Sequence, residues 1–164
     1  MYNNYPRPQG GNTNYNKGYS PTQQPLQPQI NKPPVFDFEN ISVQLFSGEA
    51  EKYAEICSEP INKQGKLDKK LNKATQLRRF YDELVLWAER TDTPEKFKNN
   101  LPFIYMIKSK VAYAVGRELV DENYQNMMYG VINGIKENNY KTLKNAKLYL
   151  EAFMGFYKGI RGND

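Results

Sequence analysis

Apolar residues recur every three or four positions through most of the chain, the spacing of one face of an α-helix. Leu77, Phe80, Tyr81, Leu84 and Ala88, extended by Trp87, predict a helix over 73–90. Ahead of it, Ser47 is placed to cap a helix over 48–58. Pro60 ends that helix by disfavouring helical geometry in the residue before it. Residues 61–72 read as a basic loop containing Gly65. Thr93–Pro94 is a helix start, a capping hydroxyl followed by proline in the first turn. Pro102 kinks that helix or begins a new one, and Ile104, Ile107 or Lys108, Val111, Val115 and Leu119 hold the period to about Val120. Asp121 caps a fourth helix with the stripe Tyr124, Met127, Met128, Val131 and Ile135; Gly130 and Gly134 weaken it and allow close packing. Asn139 caps a fifth, reaching about Lys158, with Leu143, Ala146, Leu150, Phe153, Met154 and Tyr157 in its stripe and Gly159 and Gly162 ending it. No strand-like alternation is sustained. The expected fold is all-α, a compact bundle of about five helices.

Residues 1–35 break this pattern. They are Asn, Gln, Pro, Gly and Tyr with almost no aliphatic content, and seven of the ten prolines fall within them. Such a segment buries too little apolar surface to offset its ordering entropy. The reading is a disordered tail over 1–35 and one helical domain over 36–164. Tyr2, Tyr5, Tyr15 and Tyr19 with Arg7 and Lys17 offer weak RNA contacts by stacking and charge, against the plainer reading of a solvated tail.

Composition narrows the chemistry. The chain has no histidine and one cysteine, Cys57. That removes Ser–His, Cys–His and His-metal catalysis, a Cys/His zinc site and an intrachain disulfide. No phosphate-cradling glycine loop or carboxylate cluster stands out, so no cofactor and no metal are expected. No apolar run approaches the roughly 18 residues of a membrane span, and the first residues lack a signal-like segment, so a cytoplasmic, soluble protein is expected.

The net charge of +5 is modest, but it is distributed in blocks. Six acids against Lys52 fill 37–59, seven bases against Asp68 fill 63–79, and five acids against Arg90 fill 82–95. This alternation predicts a surface with a basic and an acidic side. The candidate RNA-binding residues are Lys73, Arg78 and Arg79 around the start of the second helix, where backbone N–H groups also favour phosphate. Lys110, Tyr113 and Arg117 follow at i, i+3, i+7 on the third helix, with Lys108 to the side. Lys141, Lys147 and Lys158 on the fifth are second choices. The plainer alternative for each cluster is a solvated charged face. Leu77, Phe80, Leu84, Val111 and Leu150 are expected in the core.

Three blocks carry a resemblance. Ala74–Thr75–Gln76–Leu77–Arg78–Arg79–Phe80–Tyr81 resembles the opening of the second helix in the Csm small-subunit family of type III-A CRISPR–Cas effectors. Leu101–Pro102 through Lys108, with Lys110–Val111–Ala112–Tyr113–Ala114 and Gly116–Arg117–Glu118, resembles its long central helix. Leu150–Glu151–Ala152–Phe153 with Tyr157–Lys158 resembles its C-terminal helix. The family more often has serine where Thr75 stands, residues 37–60 match loosely, and the tail is not part of the pattern. The resemblance implies a helical subunit without nuclease activity, stacked in several copies along the guide (CRISPR) RNA–target RNA duplex. Its partners would be other copies of itself, the repeated backbone subunit that cuts target RNA, and the large signalling subunit. Alternatives are the small subunit of the related type III-B (Cmr) complex, a helical protein–protein adaptor, or a metal-free ribonuclease; Gln76–Leu77–Arg78 favours type III-A.

Overall fold

The computed structural model describes residues 28–162, and the expected tail up to residue 27 lies outside them. A π-helical turn, Leu45–Glu49, runs into α1 (Ala50–Ser58); then come α2 (Ala74–Arg90), α3 (Pro94–Tyr105), α4 (Ile107–Gly116), α5 (Glu122–Gly134) and α6 (Lys141–Arg161). α3 and α4 meet at a single residue, Met106, which keeps helical dihedrals. They are one rod with a break, so the bundle has five rods. Among the described residues the only β-type pairing is an isolated bridge, Ile61 to Leu67.

α6 is the spine. α1 and α2 pack along it, and α5 joins α6 to α4. Its buried face, Leu143, Ala146, Tyr149, Leu150, Phe153 and Tyr157, meets Leu77, Phe80 and Leu84 of α2 and Tyr124 of α5. Rings form the centre: Phe80 lies 5.9 Å from Tyr124, Tyr124 6.3 Å from Phe153, and Phe153 5.7 Å from Tyr157. All five residues expected in the core are buried.

Some helix ends differ from expectation. Ser47 caps nothing; its hydroxyl donates back to the Val43 carbonyl, and Ser42 Oγ accepts from the Leu45 N–H instead. The third rod stops at Gly116 rather than Val120. Glu118 takes a left-handed φ of 54° while the Leu119 N–H returns to the Ala114 carbonyl, closing the helix without glycine and leaving Leu119 off the stripe. Pro102 sits inside α3, and the break comes at Met106, whose carbonyl takes the N–H groups of Ser109 and Lys110 and the Ser109 hydroxyl. Asp121 caps α5 through the Tyr124 N–H at 2.9 Å, as its position predicts. Asn139 Oδ1 accepts from the Lys141 N–H. α6 continues through Gly159 and ends at Gly162, which has a φ of 66°.

The segment Ile30–Phe38 runs as a strap over the bundle. Asn123 Oδ1 accepts the Ile30 N–H at 2.7 Å, Asn126 donates to the Ile30 carbonyl, and Asn145 donates to the Phe38 carbonyl. Phe36 and Phe38 are buried in a box with Tyr53 and Tyr149. Gly130 and Gly134 do allow close packing, but of this strap rather than of a helix. A Cβ on Gly130 would meet the Pro34 carbonyl oxygen at 2.6 Å, and one on Gly134 the Phe38 ring at 2.6 Å. The boundary expected at residue 35 thus falls inside a packed segment.

One buried residue ties five parts of the chain. Asn72 is fully buried with a left-handed φ of 53°, a conformation asparagine tolerates better than most residues. Its amide donates to the Cys57 carbonyl (3.0 Å) and to Asp121 Oδ1 (2.8 Å), and its Oδ1 accepts the Asp121 N–H (2.9 Å). Its own N–H reaches the Leu119 carbonyl, and its carbonyl accepts from the Tyr157 hydroxyl. Asp121 Oδ2 takes the Ile61 N–H at 3.1 Å. Burial pushes the Asp121 carboxyl above its ordinary value against the pull of these donors. Burial, and then the Asp121 charge, also push the Cys57 thiol well up, which leaves it unreactive.

Asn72→Ala is expected to destabilise the protein by about 3 kcal/mol, since it strands several buried polar groups at once. Asn72→Gly should recover about 1 kcal/mol of that, because glycine accepts the left-handed backbone. Urea unfolding of the two variants checks the order.

Candidate nucleic-acid interface

α2 buries Leu77, Phe80 and Leu84, so its remaining positions face outward or sideways. α4 does the same with Ile107, Val111 and Ala114. The two helices run antiparallel. Trp87 stacks on Phe103 (5.6 Å, 9°), Glu83 pairs with Lys110 at 2.5 Å, and Asn72 bonds Leu119. This register sets Arg79 opposite Tyr113, and Gln76 opposite Gly116 and Arg117.

The result is a seam with Lys73 at its end, Arg79 on one side, and Lys110, Tyr113 and Arg117 on the other. Lys73 is the N-cap residue of α2, whose first turn holds no acid. Its exposed ammonium therefore adds to the partial positive charge of the helix start. Arg117 caps the end of α4 and folds back on Tyr113: one guanidinium N–H donates to the Tyr113 hydroxyl at 2.9 Å, with the guanidinium 5.8 Å from the ring centre. Lys110 is partly neutralised by Glu83, a partner that sequence spacing gives no means of seeing.

The other candidates lie elsewhere. Arg78 turns away from the seam, pairing with Asp82 at 2.9 Å and lying over Tyr81. Lys108 is on the α5 side of α4, donating to Asn133 at 2.9 Å and sitting over Tyr105 and Tyr129. Lys141 and Lys147 line a cleft of about 770 Å³ shared with Glu89 and Asp92, so cations and carboxylates mix there. Lys158 is exposed near the end of α6. In the basic loop, Lys63 pairs with Glu118 and Lys69 with Glu59. The ten candidates therefore divide, and the seam brings together Lys73, Arg79, Lys110, Tyr113 and Arg117.

The seam also exposes apolar residues that lie off the buried stripes. Phe103, one position off the Ile104–Ile107–Val111 stripe, is 49 % exposed, and Met106 and Leu86 are 52 % and 41 % exposed. Trp87, which extends the apolar stripe of α2, is only half-buried, flanked by Phe103 and by the Arg90 guanidinium. Among the described residues no group of acidic or thiol side chains is placed to hold a metal ion, and no helix is long and apolar enough to cross a membrane.

The described residues form an all-α bundle around a core of interlocked rings, with charged side chains on its exposed faces. The Csm2 Type III-A family model matches residues 50–163, well over half of the chain, and the chain belongs to that family of small Csm-complex subunits. The match decides for type III-A over type III-B. No curated protein and no solved structure matches the chain.

The seam cations are not structural supports. Arg79→Ala, Lys110→Met and Arg117→Ala are each expected to change stability by less than about 1 kcal/mol, because exposed pairs contribute little. Thermal melts of the three variants check this.

Proposed function

We propose that this subunit is a non-catalytic RNA grip, stacking in several copies along the guide RNA–target RNA duplex of a type III-A effector. It takes hold of the sugar-phosphate backbone without reading sequence. The observation that carries the reading is the gathering of Lys73, Arg79, Lys110 and Arg117 along the α2–α4 seam. Base pairing between guide and target supplies the sequence choice, so the protein need only meet backbone and shape. A small net charge suits a copy that covers a few nucleotides and must also pack against its neighbours. Head-to-tail contacts between copies, with basic regions meeting acidic ones, build a filament rather than a closed ring. The backbone ribonuclease subunit and the large signalling subunit are the other partners in this reading, the cytoplasm is its setting, and it needs no cofactor. Arg78, Lys108, Lys141, Lys147 and Lys158 are secondary contacts in it.

A second reading, a protein–protein adaptor, draws on the exposed Leu86, Phe103 and Met106 of the same seam. Binding of labelled RNA at several salt concentrations separates the two. With about three to five phosphates neutralised, log affinity should fall with log salt at a slope of about −2 to −4. Combining Arg79→Glu, Lys110→Glu and Arg117→Glu should abolish most binding, while Lys108→Gln changes it little. Salt-independent binding, or an unaffected triple variant, favours the adaptor. Labelled RNA should stay uncut with and without chelator; cleavage by the pure protein contradicts the non-catalytic reading.

A further inference from the structure

Tyr113 is 65 % exposed and does not pack against the core. An aromatic ring in that position adds little to the core, and its hydroxyl is tethered by one hydrogen bond. Arg117 sits at its hydroxyl edge, donating to the hydroxyl at 2.9 Å with the guanidinium 5.8 Å from the ring centre. One turn further on, the surface at Gly116 is open: a Cβ there meets no atom within 4 Å. Lys110 stands one turn back on the same face, about 4.5 Å along the axis, and Arg79 lies opposite in the antiparallel register. An exposed ring between cations that attract phosphate is the arrangement that stacks nucleobases.

We infer that Tyr113 is a stacking plate for one unpaired RNA base, and this rests on the seam being the RNA-gripping face. Bases inside a duplex are already stacked on both sides and cannot reach a flat ring on a protein surface. Only an unpaired base, or one at a strand end, can cover it. Arg117, beside the ring, meets the adjoining phosphate. The seam accordingly distinguishes unpaired from fully paired RNA, which backbone contacts alone do not.

The full-length chain tests this by fluorescence anisotropy with three labelled probes: a twelve-residue oligoadenylate, a ribose-phosphate chain of equal length without bases, and a blunt RNA duplex. The oligoadenylate should bind about tenfold tighter than the base-free chain, the scale of one base–aromatic contact. Tyr113→Leu should erase that difference without changing affinity for the base-free chain or the melting temperature. Tyr113→Phe, which keeps the ring and loses the hydroxyl, should stay within about twofold of the unaltered protein, since stacking needs only the π-face. Equal affinity of the unaltered protein for the chains with and without bases overturns the plate but leaves the backbone grip standing. So does a Tyr113→Leu variant that still favours oligoadenylate. Failure to bind any of the three probes removes the grip itself, and the plate with it.

Discussion

The bundle is organised by a buried amide–carboxylate clasp, Asn72 with Asp121. Burial of the apolar stripes drives collapse. Directional hydrogen bonds add a specific register to that packing. Through Asn72 and Asp121 the end of α1, the basic loop, the start of α2, the α4–α5 turn and the last turns of α6 are fixed to one point. Asn72 and Asp121 are both buried, so leaving their polar groups unpaired costs more than the bonds themselves contribute. That asymmetry makes the arrangement specific.

The seam between α2 and α4 follows from the clasp. Asn72 bonds to Leu119 at one end, and Trp87 stacks on Phe103 at the other. Two fixed ends set an antiparallel register, and the register decides that Arg79 stands opposite Tyr113 and that Lys110 meets Glu83. Lys108, two residues from Lys110, falls on the far side of the same helix and belongs to α5 instead. Charge on a helical subunit of this kind is therefore meaningful by face rather than by total.

Much of this was legible in the sequence because it rests on local periodicity. The stripes of α2, α5 and α6, the Thr93–Pro94 start and the Asp121 cap depend on residues three or four apart, and they read directly. What escaped depends on distant partners. Ile30 looks like tail by composition, yet Asn123 and Asn126, more than ninety positions away, hold its backbone. Glu118 closes α4 in a conformation usually left to glycine, so the helix ends before the apolar period does. Asn72 read as an unremarkable loop residue, because its significance lies in Cys57, Asp121 and Tyr157. Among the binding candidates, spacing grouped Lys110, Tyr113 and Arg117 correctly on one face. It could not separate Arg78 from Arg79, adjacent residues about 100° apart around α2, of which Arg78 pairs with Asp82.

The most direct test is crosslinking of the assembled ribonucleoprotein to its own RNA, followed by identification of the protein peptides attached. If the seam grips the backbone, crosslinks concentrate in the peptides carrying Lys73 to Arg79 and Lys110 to Arg117. Crosslinks confined to α5 and α6, with those two stretches unlabelled, contradict it.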